Sequence, residues 1–268
     1  MKIKLCFNAI ILIASFLAFF NGDQIDTRIF ARKPAWSESF NSIKKTPLLD
    51  WNIIRQNYPT GNQFFTDSIG NVFLEKGCLH LKATADKRAD KVCSSGYVST
   101  KGFKSFLYGK IEIRAKIPTG KGIFPGIWML REDHGTVWPL GEIDIMEYIE
   151  CFKKKEYATT IHLTYREKGY KSDPIKYTYS KQKKTNMRRF HIYGLEWTPN
   201  KLTFTLDHRP YYSVYKSDLE YWPFDVPYII LLSLGYGGWG AKCGMDDSIL
   251  PREMLIDWIR YYPLLSNK

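Results

Sequence analysis

Residues 109–118, GKIEIRAKIP, alternate strictly between two kinds of side chain. Ile111, Ile113, Ala115 and Ile117 fall on one side and Lys110, Glu112, Arg114 and Lys116 on the other, which is the period of a strand with one face buried. The pattern recurs along the chain. NVFLEKGCLHLKATA gives two strands around Lys76-Gly77, with Leu79, Leu81 and Ala83 inward, and ATTIHLTY gives another. RFHIYGLEWTP and KLTFTLDHRP form a hairpin over Pro199-Asn200, with Leu202, Phe204 and Leu206 inward. PYIILLSLGYGG is almost continuously apolar, as expected of a strand covered on both faces, and MLIDWIRYY closes the chain. Trp36 to Phe40 reads as a first edge strand, and 51 to 70, with Pro59, Gly61 and Gly70, as a long connection. There is no internal repeat, low-complexity tract or long helical pattern. Many short strands with regular turns predict an all-β chain, a sandwich or jelly roll of two packed antiparallel sheets.

One strand differs from the rest. In GEIDIMEYIE, residues 141–150, alternation places Glu142 and Asp144 on one face and Ile143 and Ile145 on the other. A regular strand would then send Glu147 among the isoleucines. One extra residue in a β-bulge reverses the phase and returns Glu147 to the acidic face. Three carboxyls on one surface suit retaining glycoside hydrolysis, in which one attacks the anomeric carbon and another protonates the leaving oxygen. Across the bulge the two Glu backbones would stand about 13 Å apart, and the carboxyls must approach to roughly 5–5.5 Å. Long side chains are therefore needed at both ends and the shorter one between them. Asp144 would hold Glu142 by a hydrogen bond, and its charge would keep Glu147 protonated near neutral pH. For E-x-D-x-x-E alone, a solvated acidic face is the better reading.

The start of the chain reads as a secretory leader over residues 1–22, with Lys2 and Lys4 ahead of the apolar run Ala9 to Phe20. No other segment is suited to crossing a membrane, so the mature chain, one domain over 23–268, is expected to be secreted or periplasmic. Four cysteines follow the leader. Cys78 and Cys93 flank the polar turn ADKRADK, and strands on either side would bring them opposite each other. Cys151 and Cys243 would supply a second bridge, and four free thiols is the alternative. Their spacing suggests no metal site.

The net charge is +12, or 12 − 2 = +10 without Lys2 and Lys4. Such a balance suits an anionic polysaccharide or cell surface. The clusters Lys153 to Lys155 and KQKKTNMRR, residues 181–189, read as solvated loops, and no nucleic-acid motif accompanies them. Aromatic residues make up 16% of the chain, which fits either a sugar-stacking cleft or a sheet-rich core.

YGKIEIRAKIPTGKGIFPGIWML, WPLGEIDIMEY, FHIYGLEWTP, WPFDVPYIILLSLGYGG and DDSILPREMLIDWIRYY together resemble, in the same order, segments of the bacterial laminarinases of glycoside hydrolase family 16. The likeness runs from about Trp36 to Tyr262. It implies a β-jelly roll with a concave cleft and a monomeric, retaining endo-hydrolase of β-1,3-glucan or mixed β-1,3-1,4-glucan. Glu142 would be its nucleophile, Glu147 its acid/base and Asp144 their assistant. It further implies substrate contacts from Trp128, Trp138, His162, Asn62, Arg114 and Trp239. The chain departs from the pattern in places. Tyr97 replaces a usual arginine, Phe124 a common tryptophan and Ser233 a frequent asparagine. Ser39 stands where the family has an acid that helps bind a structural calcium, leaving Asp257 as a ligand. No cofactor is implied for the chemistry. A sulfated galactan as substrate and a non-catalytic glucan-recognition protein are the rival readings, and intact Glu142 and Glu147 speak against the second.

Overall fold

The computed structural model describes residues 29–41, 50–57, 61–88, 90–133, 140–152, 156–165 and 175–265. The first strands are β1 (Trp36–Glu38), β2 (Asn52–Ile53), β3 (Gln56–Asn57), β4 (Gln63–Phe65), β5 (Val72–Glu75) and β6 (Cys78–Arg88). Then come β7 (Lys91–Ser95), β8 (Tyr97–Ser99), β9 (Gly109–Lys116), β10 (Ile123–Arg131), β11 (Leu140–Glu147) and β12 (Glu156–Tyr165). The last are β13 (Ile175–Lys184), β14 (His191–Thr198), β15 (Lys201–Leu206), β16 (Arg209–Tyr215), β17 (Tyr228–Tyr236) and β18 (Arg252–Tyr262). The helical pieces among the described residues are short 3-10 turns, including Gly238–Cys243.

Two sheets form, as the alternation predicts. The larger runs β16-β15-β14-β9-β18-β6-β7-β4-β3, with β1 on β18 and β5 on β6. The smaller runs β13-β12-β11-β10-β17-β8-β2. Between them lies the main core, where Ile111, Ile113 and Ala115 of β9 meet Ile127 and Met129 of β10 and Ile230, Leu232 and Leu234 of β17. β17 is apolar on its other face too. There Ile229 and Leu231 join Phe65 and Tyr97 in a second cluster, flanked by Trp128 and Leu130. Phe65, Tyr97 and Trp128 of this group line the cleft described below.

The region 51 to 70 is not a plain connection, since it carries β2, β3 and β4. These strands are two or three residues long, too short for a period to show. The lysines from Lys181 to Lys184 lie on β13, whose ten residues pair throughout with β12. They form an edge strand, where lysines keep an open row of backbone groups from pairing with other chains. Lys153 to Lys155, Trp138 and residues 1–22 lie outside the described residues.

The cysteines are also sorted differently. Cys151 and Cys243 form the disulfide, while Cys78 and Cys93 are free. The turn between β6 and β7 does bring the two strands together, but Cys93 faces Ala85 and Cys78 faces Glu75 of β5. Seven residues of strand, about 23 Å at the usual rise, separate the two positions along β6. Cys93 is fully buried, and burial pushes its thiol up to about 12. The bridge that forms joins the chain just past β11 to the 3-10 turn after β17, across 92 residues. Peptide mapping without reductant is expected to find Cys151 joined to Cys243 and Cys78 and Cys93 alkylated. Cys151→Ser should cost roughly 2–4 kcal/mol in denaturant unfolding, as for a bridge closing a long loop.

Candidate active site

β11 carries the bulge that the acidic motif requires. Against β10, Trp128 faces Asp144 and Ile127 faces Met146, so Ile145 is the extra residue. Against β12, Asp144 faces Thr160 and Glu147 faces Ala158. Ile145 and Met146 both turn into the core, each at most 1% exposed. Glu147 accordingly shares a face with Glu142 and Asp144, and both glutamates line a cleft of about 370 Å³.

Within the triad Asp144 sits at the centre, 1% exposed. It hydrogen-bonds both Glu142 and Glu147, and its Oδ2 lies 3.0 Å from His162 Nε2. The three carboxyls differ in environment. Burial raises Glu142, while the nearby His162 and the hydrogen bond from Asp144 pull it back. Burial lifts Glu147 well above the ordinary carboxyl range, and the charges of Asp144 and Glu142 push it further. Asp144 is raised by burial and then by Glu142. Such a set keeps a proton on Glu147 more readily than on Glu142, which is the division that acid and nucleophile need.

The cleft has two unlike flanks. On one side, Trp128 stacks on Tyr97 at 5.9 Å between ring centroids, and Tyr97 leans on Phe65 at 5.1 Å. Trp128 Nε1 donates to Ser233 Oγ at 3.2 Å. A side chain at Gly126 would press on both Ser233 and Trp128, so glycine keeps this wall open. Beyond it, Trp239 meets Phe124 and Phe152 edge-on at 5.4 and 5.8 Å, on the 3-10 turn that the disulfide fixes. On the other side the row is polar. Glu142 faces His162, which faces Thr178 and bonds it through Nδ1 at 3.0 Å. Asp144 faces Thr160, whose hydroxyl donates to Ser180 at 3.2 Å.

Trp128, His162 and Trp239 thus stand in or beside the cleft. Asn62 is not among its lining residues, and its side chain lies against Gly237, at a φ of 84° where a Cβ would collide with it. Arg114 is elsewhere. β9 belongs to the larger sheet, and Arg114 pairs with Asp257 of β18 and covers Phe190 at 4.5 Å, so it takes no part in the cleft. Alternation assigned it a polar face without saying which sheet that face belonged to. The structure adds Gln56, Gln63 and Phe65, contributed by the short strands β3 and β4. No motif marks them. Phe124, Tyr97 and Ser233, the departures from the family pattern, all line the cleft.

The residues present do not fit the structural calcium that the resemblance implies. Asp257 is already held by Arg114, and Ser39 brings no charge, whereas calcium takes about six to eight oxygens with carboxylates among them. Glu142, Asp144 and His162 offer donor atoms within 4.8 Å of one another. Asp144, however, is already engaged by both glutamates and by the imidazole.

Comparison with known proteins agrees with this geometry. The profile of glycosyl hydrolases family 16 matches residues 62–260. A beta-glucanase of Rhodothermus marinus is 30% identical over 249 residues, covering 85% of this chain and 84% of its own length. A keratan-sulfate endo-1,4-beta-galactosidase of Sphingobacterium multivorum is 32% identical over 247 residues, covering 87% of this chain and 56% of its own. The catalytic domain of an endo-1,3-beta-glucanase (laminarinase) from Thermotoga petrophila RKU-1 superposes with a TM-score of 0.72 at 30% identity, covering 87% of this chain and 98% of that one. The chain belongs to glycosyl hydrolase family 16. It is a glycoside hydrolase with the jelly-roll fold of that family, in which hydrolysis proceeds with retention.

The raised Glu147 predicts a pH-dependent stability. Its folded value lies above its ordinary 4.5, so the folded state binds the proton more tightly and loses stability as pH rises from 4.5 to the folded value. Glu147→Gln removes that loss. In thermal unfolding the variant should match the parent near about pH 4 and exceed it increasingly toward about pH 8; a difference constant with pH would contradict the assignment.

Proposed function

We propose that the protein is a retaining endo-β-glucanase that cuts β-1,3-glucan of the laminarin type or mixed-linkage β-1,3-1,4-glucan. The observation carrying this reading is the bulge that places Glu142, Asp144 and Glu147 on one cleft-facing surface with different environments. Glu142 attacks the anomeric carbon while Glu147 protonates the departing oxygen, giving a glycosyl-enzyme ester and a shortened chain. Glu147, now a carboxylate, then takes a proton from water, which opens the ester with net retention. Asp144 keeps both glutamates in place, and His162 orients Asp144. Trp128, Tyr97, Phe124 and Trp239 present ring faces and edges to the apolar faces of sugar rings, as pyranoses require. The enzyme acts outside the cytoplasm. The basic and apolar start of the chain supports this, as does the disulfide, which belongs to an oxidising compartment.

A second reading is a sulfated β-galactan. It is favoured by the keratan-sulfate relative together with the net charge of +12 and the exposed Lys184 on β13, which shares the strand face of Thr178 and Ser180 on the polar flank.

Reducing-end release from laminarin, barley mixed-linkage glucan, keratan sulfate and κ-carrageenan separates the two. Activity on laminarin or barley glucan that falls by about a thousandfold or more in Glu142→Gln supports the glucanase. Activity confined to the galactans supports the second reading. Binding to glucan with no hydrolysis of any of the four would defeat both.

A further inference from the structure

The bulge leaves a gap in the ladder between β11 and β12. Asp144 pairs with Thr160 and Glu147 with Ala158, so Ile145 and Met146 have no partner across the strand. Backbone carbonyls in such a gap are buried and still need a donor. On β12 the residue between Thr160 and Ala158 is Thr159, which is fully buried. Its hydroxyl donates to the Ile145 carbonyl at 2.7 Å and lies 3.1 Å from the Asp144 carbonyl. From the opposite sheet, Tyr211 of β16 hydrogen-bonds that same hydroxyl, and Tyr157 donates to Tyr211 at 3.0 Å. None of these three residues lines the cleft.

We propose that Thr159 is a positioning residue for hydrolysis: its hydroxyl pins the bulge carbonyls and thereby fixes the direction of Glu147 relative to Glu142 and Asp144. A bulge is an inserted residue, and the position of an insertion can slide. A slide of one residue would exchange the faces of the side chains it passes and turn Glu147 away from its partners. One buried hydroxyl proton, donated to the Ile145 carbonyl with the Asp144 carbonyl also in reach, opposes that slide. Valine has nearly the same shape as threonine and lacks the donor, so Thr159→Val isolates the hydroxyl, while Thr159→Ser retains it.

This inference rests on the hydrolase reading, but its first test needs no substrate. The side-chain carboxyl of Glu147 is followed by carbon-13 NMR through a pH titration in the parent, Thr159→Val and Thr159→Ser proteins, with kcat and KM measured on the best glycan. In the valine variant the Glu147 midpoint should fall toward that of an ordinary carboxyl, and kcat should drop about tenfold or more with KM within about twofold. The serine variant should follow the parent. A folded valine variant with the parent's midpoint and kcat overturns the proposal. If the valine variant does not fold, Tyr211→Phe tests the same chain of hydroxyls from its far end: a smaller shift of the midpoint in the same direction supports the proposal, and no shift overturns it. A parent that turns over no glycan sinks the hydrolase reading alone, and the titration still decides the role of Thr159.

Discussion

The extra residue in β11 is the constraint on which the site depends. A strand offers two faces, and this one must supply apolar side chains to the core and acids to the cleft. With regular alternation, Glu147 would point into the space now filled by Ile145 and Met146. The bulge sends those two inward and Glu147 outward. Burial of a large apolar side chain is worth about 1.5–3 kcal/mol, so these two hold the bulge in place from the core side. The grouping of the acids is therefore stabilised largely by residues that no substrate touches. Thr159 completes the arrangement on the side where the ladder is broken.

Electrostatics follow from the same geometry. Three largely buried carboxyls crowded on one strand cannot all be charged at modest cost. Asp144, least exposed and hydrogen-bonded to both neighbours, transmits the state of one glutamate to the other. His162 approaches from β12 and favours negative charge on Glu142, the second cause acting on that residue after burial. The difference between the two glutamates thus arises from position along a single strand. A separate source of charge for each is unnecessary.

Much of this was legible in the sequence, for reasons that particular residues make clear. GKIEIRAKIP, the hairpin over Pro199-Asn200 and the two-faced run at 228–236 showed their strands because burial imposes a period of two on eight or so residues. GEIDIMEYIE showed even its bulge, because an acid in the wrong phase demands an explanation. Long-range register was hidden. Cys78 and Cys93 lie on neighbouring strands yet seven positions out of step, which no local pattern records. Lysine reports solvation and not backbone conformation, so an edge strand at Lys181 to Lys184 looked like a loop. Arg114 shows the same limit, since a polar face can belong to either sheet. Gln56, Gln63 and Phe65 reach the cleft from strands too short to carry a period at all.

The two-faced burial of β17 has a consequence for how such a cleft can change over generations. Ile229 and Leu231 pack beneath Phe65, Tyr97 and Trp128, which line the cleft, while Ile230, Leu232 and Leu234 belong to the main core of the same strand. Any remodelling of the aromatic flank is transmitted through one backbone into the interior, so new preferences there come with lost stability and need compensating substitutions. The opposite flank ends on β13, an edge strand with Thr178, Ser180 and Gln182 open to solvent. Drift is cheap at that edge. Variation in what the enzyme accepts should accumulate on the polar border first, leaving the stacked rings as the conservative half of the groove.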